Sequence, residues 1–250
     1  MNIRSIFITG CNQGLGLGLV KYLALLKTPT EKIFATCRNI QKATELLNLA
    51  KHVENIHIFE IDLKNVNEYP TIVNKVKSIV GDDGLTVLFN NAGMSTKFTR
   101  LPFVKEEQLF ESYKINTVAP ILLAKEFLPL LRQASINHST KKGMSLTKAA
   151  IINMSSILGS LKNNDIGGFY PYRCSKAALN AATISMSIDL KKYNILVVSL
   201  HPGWVKTSLG GPNAPIDIKT SVDSIFNTLK SISEKDTGSF FQYDGKILPW

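Results

Sequence analysis

The sequence is short of cysteine, short of acid, and has no long apolar run. Its three cysteines, Cys11, Cys37 and Cys174, lie far apart and form no Cys-x-x-Cys pair. So sparse and odd a set argues against a disulfide framework or a metal site and suits a reducing compartment. No apolar stretch reaches the roughly 18 residues that a membrane span needs. The opening MNIRSIFITG enters a strand-like pattern at once and leaves no room for a secretory signal, so a cytoplasmic protein without a membrane partner is expected. Asp and Glu number 19 against 29 Lys and Arg, a net charge of +10. The basic residues are scattered, with Lys141-Lys142 and Lys191-Lys192 as the only doublets. The excess therefore reads as solvated surface and not as a nucleic-acid face, and part of it can attract a polyanionic cofactor.

A hydrophobic fraction of 44% with 19% charged residues marks a globular chain. No Pro-, Gly- or Ser-rich linker and no repeat divides it, so residues 1–250 are expected to form a single domain. Short runs rich in Ile, Val and Phe occur at 3–9, 32–37, 56–61, 85–90, 149–155, 195–200 and 239–243. Their apolar residues are consecutive, as in strands buried on both faces. Between them, 15–26, 66–80, 106–131, 172–192 and 216–232 carry apolar residues at three- and four-residue spacing. This alternation predicts an α/β fold, a Rossmann-like doubly wound parallel sheet of about seven strands with helices on both faces. The polar, basic stretch 135–148 reads as a surface loop. The stretch 210–215, with two glycines and two prolines after a strand end, reads as a loop covering substrate.

The first strand runs into Thr9-Gly10-Cys11-Asn12-Gln13-Gly14-Leu15-Gly16. Glycines there let the chain turn tightly and bring backbone N–H groups close to a pyrophosphate, at a helix N-terminus that adds partial positive charge. In the second half, Tyr172 and Lys176 stand four residues apart, on one face of a helix that Pro171 helps to start. An ammonium beside a phenol favours the phenolate, so Lys176 is expected to lower the pKa of Tyr172 and ready it for proton transfer to a carbonyl oxygen. Upstream, a buried strand closes on two hydroxyls, Ser155 and Ser156, at the sheet edge where such folds place their chemistry. Either can hydrogen-bond a substrate oxygen.

Taken together, these segments resemble the short-chain dehydrogenase/reductase family across nearly the whole chain. The Thr-Gly-x-x-x-Gly-x-Gly turn, the Asn90-Asn91-Ala92-Gly93 segment, the Tyr-x-x-x-Lys pair and Pro202-Gly203-Trp204-Val205-Lys206-Thr207 appear in the family's order. The resemblance implies catalytic roles for Asn116, Ser156, Tyr172 and Lys176, with Ser156 preferred to Ser155. It implies a dinucleotide held by Gly10, Asn12, Gln13, Gly14, Leu15 and Gly16, with Asp62 and Leu63 at the adenine. Asn91, Ala92 and Gly93 would line the adenosine side. Tyr172, Lys176, Pro202, Gly203, Val205 and Thr207 would hold the nicotinamide end. Asn116 would bend its helix and hold a proton-relaying water. Within the family, the segments 152–160 and 200–207 and the ending 243–250 are similar to the sniffer-type carbonyl reductases, which implies reduction of small aldehydes, ketones or quinone-like carbonyls by NADPH.

The second strand ends Ala35-Thr36-Cys37-Arg38, without the acidic residue that accepts an NAD ribose hydroxyl. Arg38 can pair with a 2′-phosphate through its planar fork, so NADP(H) is the expected cofactor. Gln13 stands where many NADP-preferring relatives carry a basic residue. Two other readings compete: an NAD-linked alcohol dehydrogenase of the same family and a non-catalytic NADP(H)-binding regulator, the second disfavoured because Tyr172 and Lys176 are both present. Specificity is expected in loops near 95–103, 158–169 and 209–216, where Phe169 and Trp204 could stack on an aromatic substrate or simply pack. The helices around 106–131 and 172–192 form a dimer interface in many relatives, so a homodimer is expected. Cys174, between the catalytic pair, reads as a structural thiol.

Overall fold

A computed structural model describes residues 3–96, 98–137 and 143–250. Seven strands form one sheet in the order β3-β2-β1-β4-β5-β6-β7, every pair parallel. They are β1 (Ser5–Ile8), β2 (Lys32–Cys37), β3 (Ile56–Glu60), β4 (Val87–Asn90), β5 (Ala150–Met154), β6 (Leu196–His201) and β7 (Phe240–Gln242). Every residue of β1, β4, β5 and β6 is buried, because helices cover both faces and leave no solvent side to alternate with. Ile6 and Ile8 enter one apolar core while Phe7 enters the other, the two-residue period of a strand read from opposite sides.

The helices are α1 (Gly14–Ala24), α2 (Thr44–His52), α3 (Tyr69–Val80), α4 (Glu106–Tyr113), α5 (Ala119–Asn137), α6 (Tyr170–Asp189) and α7 (Ile218–Ser231). Leu19, Val20 and Leu23 of α1 pack with Ile225 and Phe226 of α7 on the first face. Val76 of α3 and Leu123 and Phe127 of α5 fill the second. The chain order reverses between β1 and β4, which opens a crevice beyond the C-terminal strand ends.

Three local expectations need correction. The single helix expected over 106–131 is two helices joined by a π-turn, Lys114–Val118. Pro120 has no N–H to offer the Asn116 carbonyl four residues back, and the Ala119 N–H reaches to the Lys114 carbonyl instead. Helix α2 was not foreseen: it buries only Leu46, too little apolar surface for a clear stripe. The stretch 135–148 is not all loop, since α5 runs to Asn137 and Lys148 is buried. Residues 138–142 of that stretch, Lys141 and Lys142 with them, and position 97 of the first expected substrate loop lie outside the described residues. No helix among the described residues is long and apolar enough to cross a membrane. None of those residues forms a group of three or more His, Cys, Asp or Glu fit to hold a metal ion.

Candidate active site

The turn after β1 can be built only with glycine. Gly10 and Gly14 take φ of +72° and +61°, in the left-handed region. Gly16 is required for space: a Cβ there would lie 2.1 Å from the Gly10 carbonyl oxygen. The end of β4 is tied to the same turn. Asn91 Nδ2 donates to the Thr9 carbonyl at 2.8 Å, and the Ala92 N–H donates to Thr9 Oγ1 at 2.9 Å. A dinucleotide-sized cavity of about 540 Å³ opens over this junction.

The structure gathers most of the expected binding residues on that cavity. Gly10, Asn12, Gln13, Gly14, Leu15 and Gly16 form one wall, with Arg38, Asp62 and Leu63 beyond them. Asn91, Ala92 and Gly93 lie beneath, and Tyr172, Lys176, Pro202 and Thr207 close the other end. Gly203, Val205, Ser156 and Asn116 are not on its lining. Gly203, at φ +85°, packs against Ile216 and Tyr243, and Val205 pairs with Ile216, so both shape the loop from behind. Sequence reasoning missed Met94, Met154 and Ser208, and the Lys64–Glu111 ion pair on the cavity rim, whereas Leu209 on the lining opens the expected loop 209–216. The missed Ser208 has a discernible part: Gln13 Nε2 donates to its Oγ at 3.0 Å and joins the glycine turn to the Pro202–Thr207 loop.

At the chemical end, α6 starts from Phe169, whose φ of +51° is strained for a bulky residue. The Phe98 ring meets Phe169 edge-on at 4.9 Å, so both aromatics are engaged with each other. Trp204 is about half exposed and donates its indole N–H to the Gly210 carbonyl at 2.6 Å. Tyr172 and Lys176 follow on one buried face of α6. Burial pushes the Tyr172 phenol up to about 12, against the lowering pull of a hydrogen bond with Ser156. Burial likewise brings the Lys176 ammonium down to about 7. Its Nζ donates to the Met154 carbonyl at 2.7 Å and sits 5.7 Å from the centre of the tyrosine ring.

The phenol's net shift is therefore upward, not the downward one expected from the lysine alone. A low-dielectric setting penalises both charged forms, and here that penalty exceeds any help the ammonium gives. Tyr172 thus keeps its proton at neutral pH. The two serines differ in their bonds, with Ser155 and not Ser156 on the cavity lining. Ser155 Oγ is committed to Asn180 Oδ1 at 2.6 Å, whereas Ser156 reaches Tyr172 and accepts the Leu158 N–H at 3.2 Å. Asn116 is fully buried in the π-turn, where its amide clasps both backbone groups of Met94 and donates to Ser175 Oγ at 2.9 Å. Arg38 is exposed at the end of β2. The turn after it is held by Glu60, which accepts the Ile40 N–H at 2.7 Å.

A sequence model described as short chain dehydrogenase matches residues 4–215. The chain belongs to the short-chain dehydrogenase family. Among curated relatives, the C-signal protein of Myxococcus xanthus is 37% identical over 164 residues, spanning 66% of this chain and 92% of its own. An uncharacterized oxidoreductase of Schizosaccharomyces pombe is 30% identical, over 98% of this chain and 97% of its own. Solved family structures match along the full length of both chains. The carbonyl reductase Sniffer of Drosophila melanogaster is 51% identical with a TM-score of 0.98. An NADPH-bound carbonyl reductase from chicken fatty liver is 37% identical with a TM-score of 0.94.

Proposed function

We propose that this protein is an NADPH-dependent carbonyl reductase acting on small aldehydes, ketones or quinone-like carbonyls. The observation that carries the reading is a buried, protonated Tyr172 bonded to Ser156 beside Lys176, in the same cavity as a glycine turn that admits no Cβ. The full-length likeness to two carbonyl reductases, one of them NADPH-bound, supports it. The residues fit the cofactor: the Gly10–Gly16 turn leaves room for a pyrophosphate against backbone N–H groups, and Arg38 offers a cation to a 2′-phosphate where NAD enzymes carry an acid. When bound, NADPH supplies a hydride to the carbonyl carbon.

The protein's own residues manage the oxygen. Ser156 and Tyr172 converge on the carbonyl oxygen, and Tyr172 donates its proton as negative charge develops there. The Lys176 ammonium stabilises the phenolate this leaves, and its own proton sits near neutrality, ready to replace the one spent. Asn116 fixes Met94 and Ser175, and, in a turn where Pro120 withholds its α-helical donor, it is read as the holder of a water that relays protons toward Lys176. The direct test follows NADPH oxidation on a panel of carbonyls including a quinone and an aromatic dione, with NADH as the comparison. Turnover that prefers NADPH is expected; tight NADPH binding without turnover would favour a regulator.

Arg38→Ala is expected to weaken NADPH binding at least about tenfold, the scale of a lost charge-assisted bidentate pair, while NADH binding is unchanged. Titration of both nucleotides by fluorescence checks it. The protein is further read as a cytoplasmic homodimer. Phe110 and Tyr113 of α4, Ile121 of α5 and Ile188 of α6 are exposed apolar side chains on the helices expected to pair. Light scattering should give twice the monomer mass for wild type and a monomer for Phe110→Asp; a monomeric wild type would end the dimer reading.

A further inference from the structure

The face of α6 that carries the reactive pair does not end at Lys176. Asn180 comes four residues later, after Tyr172 and Lys176 at the same interval, so the three side chains form one stripe. Asn180 is buried and touches no part of the cofactor cavity. Its Oδ1 accepts from Ser155 Oγ at 2.6 Å and from Ser199 Oγ at 3.1 Å, and its Nδ2 donates to the Gly159 carbonyl at 3.3 Å.

Ser155 and Gly159 flank the short turn that presents Ser156. The turn is closed on itself by the Gly159 N–H donating to the Ser156 carbonyl at 2.8 Å. It is also pressed against the dyad, since a Cβ on Gly159 would lie 2.8 Å from Lys176 Cβ. Asn180 therefore holds the Ser155 side chain on one side of Ser156 and the Gly159 backbone on the other, from the helix that carries Tyr172. The grip is itself anchored in the sheet. The single Ser199 hydroxyl proton is shared between Asn180 Oδ1 and Thr183 Oγ1, which lies 2.9 Å from Ser199 Oγ; Asn153 Nδ2 donates to that Thr183 oxygen at 2.9 Å, and Asn90 Nδ2 donates to Asn153 Oδ1 at 2.8 Å. A chain of buried side-chain bonds thus runs from β4 through β5 and β6 to the Ser156 turn.

We propose that Asn180 is a positioning residue of the reductase, holding Ser156 where it and Tyr172 meet one carbonyl oxygen. This rests on the carbonyl-reductase reading. A side-chain amide suits the place because it can accept from two hydroxyls and still donate to a carbonyl. An aspartate lacks the donor and a leucine lacks both functions.

The test is a double-mutant cycle on carbonyl reduction with wild type, Asn180→Ala, Ser156→Ala and the double variant. Asn180→Ala is expected to lower kcat about tenfold with NADPH affinity kept within about twofold, and Ser156→Ala to lower it about a hundredfold. If Asn180 acts through Ser156, the double variant is no slower than Ser156→Ala. Losses that multiply, or an unchanged kcat in Asn180→Ala, overturn the proposal. Should Asn180→Ala not fold, Ser155→Ala cuts one arm of the grip, and about a threefold loss confined to the background that retains Ser156 is expected; an unchanged kcat there overturns the proposal as well. A readout free of turnover separates this inference from the reading beneath it. In protein carrying carbon-13 at the tyrosine Cζ, the Tyr172 resonance should move the same way in Asn180→Ala or Ser155→Ala as in Ser156→Ala. No movement rejects the positioning role, whereas movement with no carbonyl reduced by wild type rejects only the activity.

Discussion

Tyr172→Phe is expected to lower kcat about a thousandfold, within the range ascribed to a positioned general acid, while NADPH still binds within about threefold of wild type. The substitution removes one oxygen and keeps the ring that packs at the head of α6, so the fold and cavity remain. Stopped-flow measurement of a single turnover separates the loss of chemistry from any slowing of release. The pH dependence has a defined sign. Lys176 is held near 7, so its ammonium is present below that pH and lost above it, while the phenol at about 12 stays protonated throughout. Reductive kcat/KM should hold level below about 7 and fall as pH rises through it, and Lys176→Met should be slow with no such step. The same burial affects stability in the opposite direction. The unfolded chain binds the lysine proton up to its ordinary 10.5, the folded one only to about 7, so the folded state gains stability as pH rises between them.

Gly16→Ala is expected to abolish measurable NADPH binding, a loss of at least about a hundredfold, because the backbone beneath the pyrophosphate must move. The new methyl would stand 2.1 Å from the Gly10 carbonyl oxygen and 2.7 Å from Asn91 Nδ2, and neither is the free end of a flexible chain. Gly81→Ala is the matched control. Gly81 has a positive φ, +57°, which Gly16 lacks, and its Cβ would meet nothing within 4 Å. It should lose about 1–3 kcal/mol of stability, because φ +57° with ψ −134° is open essentially to glycine, and leave nucleotide affinity intact. Calorimetric titration of both variants decides the point: if Gly16→Ala binds NADPH as wild type does, the glycine turn is not the pyrophosphate seat.

The strands were legible because burial on both faces writes itself as consecutive Ile, Val and Phe; β2 falls at 32–37 as expected, and the others within about two residues. Helix α2 was not, since a nine-residue helix that buries one side chain carries little periodic signal. The π-turn was hidden for a different reason. A one-residue widening barely disturbs apolar spacing, and only Asn116 with Pro120 hinted at it. Within the site, the motif residues were readable by spacing and order. The electrostatics were not, because the direction of a pKa shift depends on how completely Tyr172 and Lys176 are buried, and no motif encodes that. Asn180 was invisible for the same reason: its partners Ser155, Gly159 and Ser199 come from separate stretches of chain and meet only through the fold.

The strand order has a consequence for how such a molecule emerges from synthesis. After β3, β2 and β1 have formed one half, β4, β5, β6 and β7 join on the other side of β1 in the order they are made. Each new strand finds an edge already waiting for it, and no strand must be inserted between two others made earlier. Because all pairings are parallel, no hairpin can seed the sheet, and each addition waits for its crossover helix. The glycine turn and its β4 support are complete within roughly the first 95 residues, whereas Tyr172 arrives only with α6. A nascent chain thus carries the glycine turn and its β4 support long before Tyr172, Lys176, Pro202 and Thr207, the residues that close the other end of the cavity.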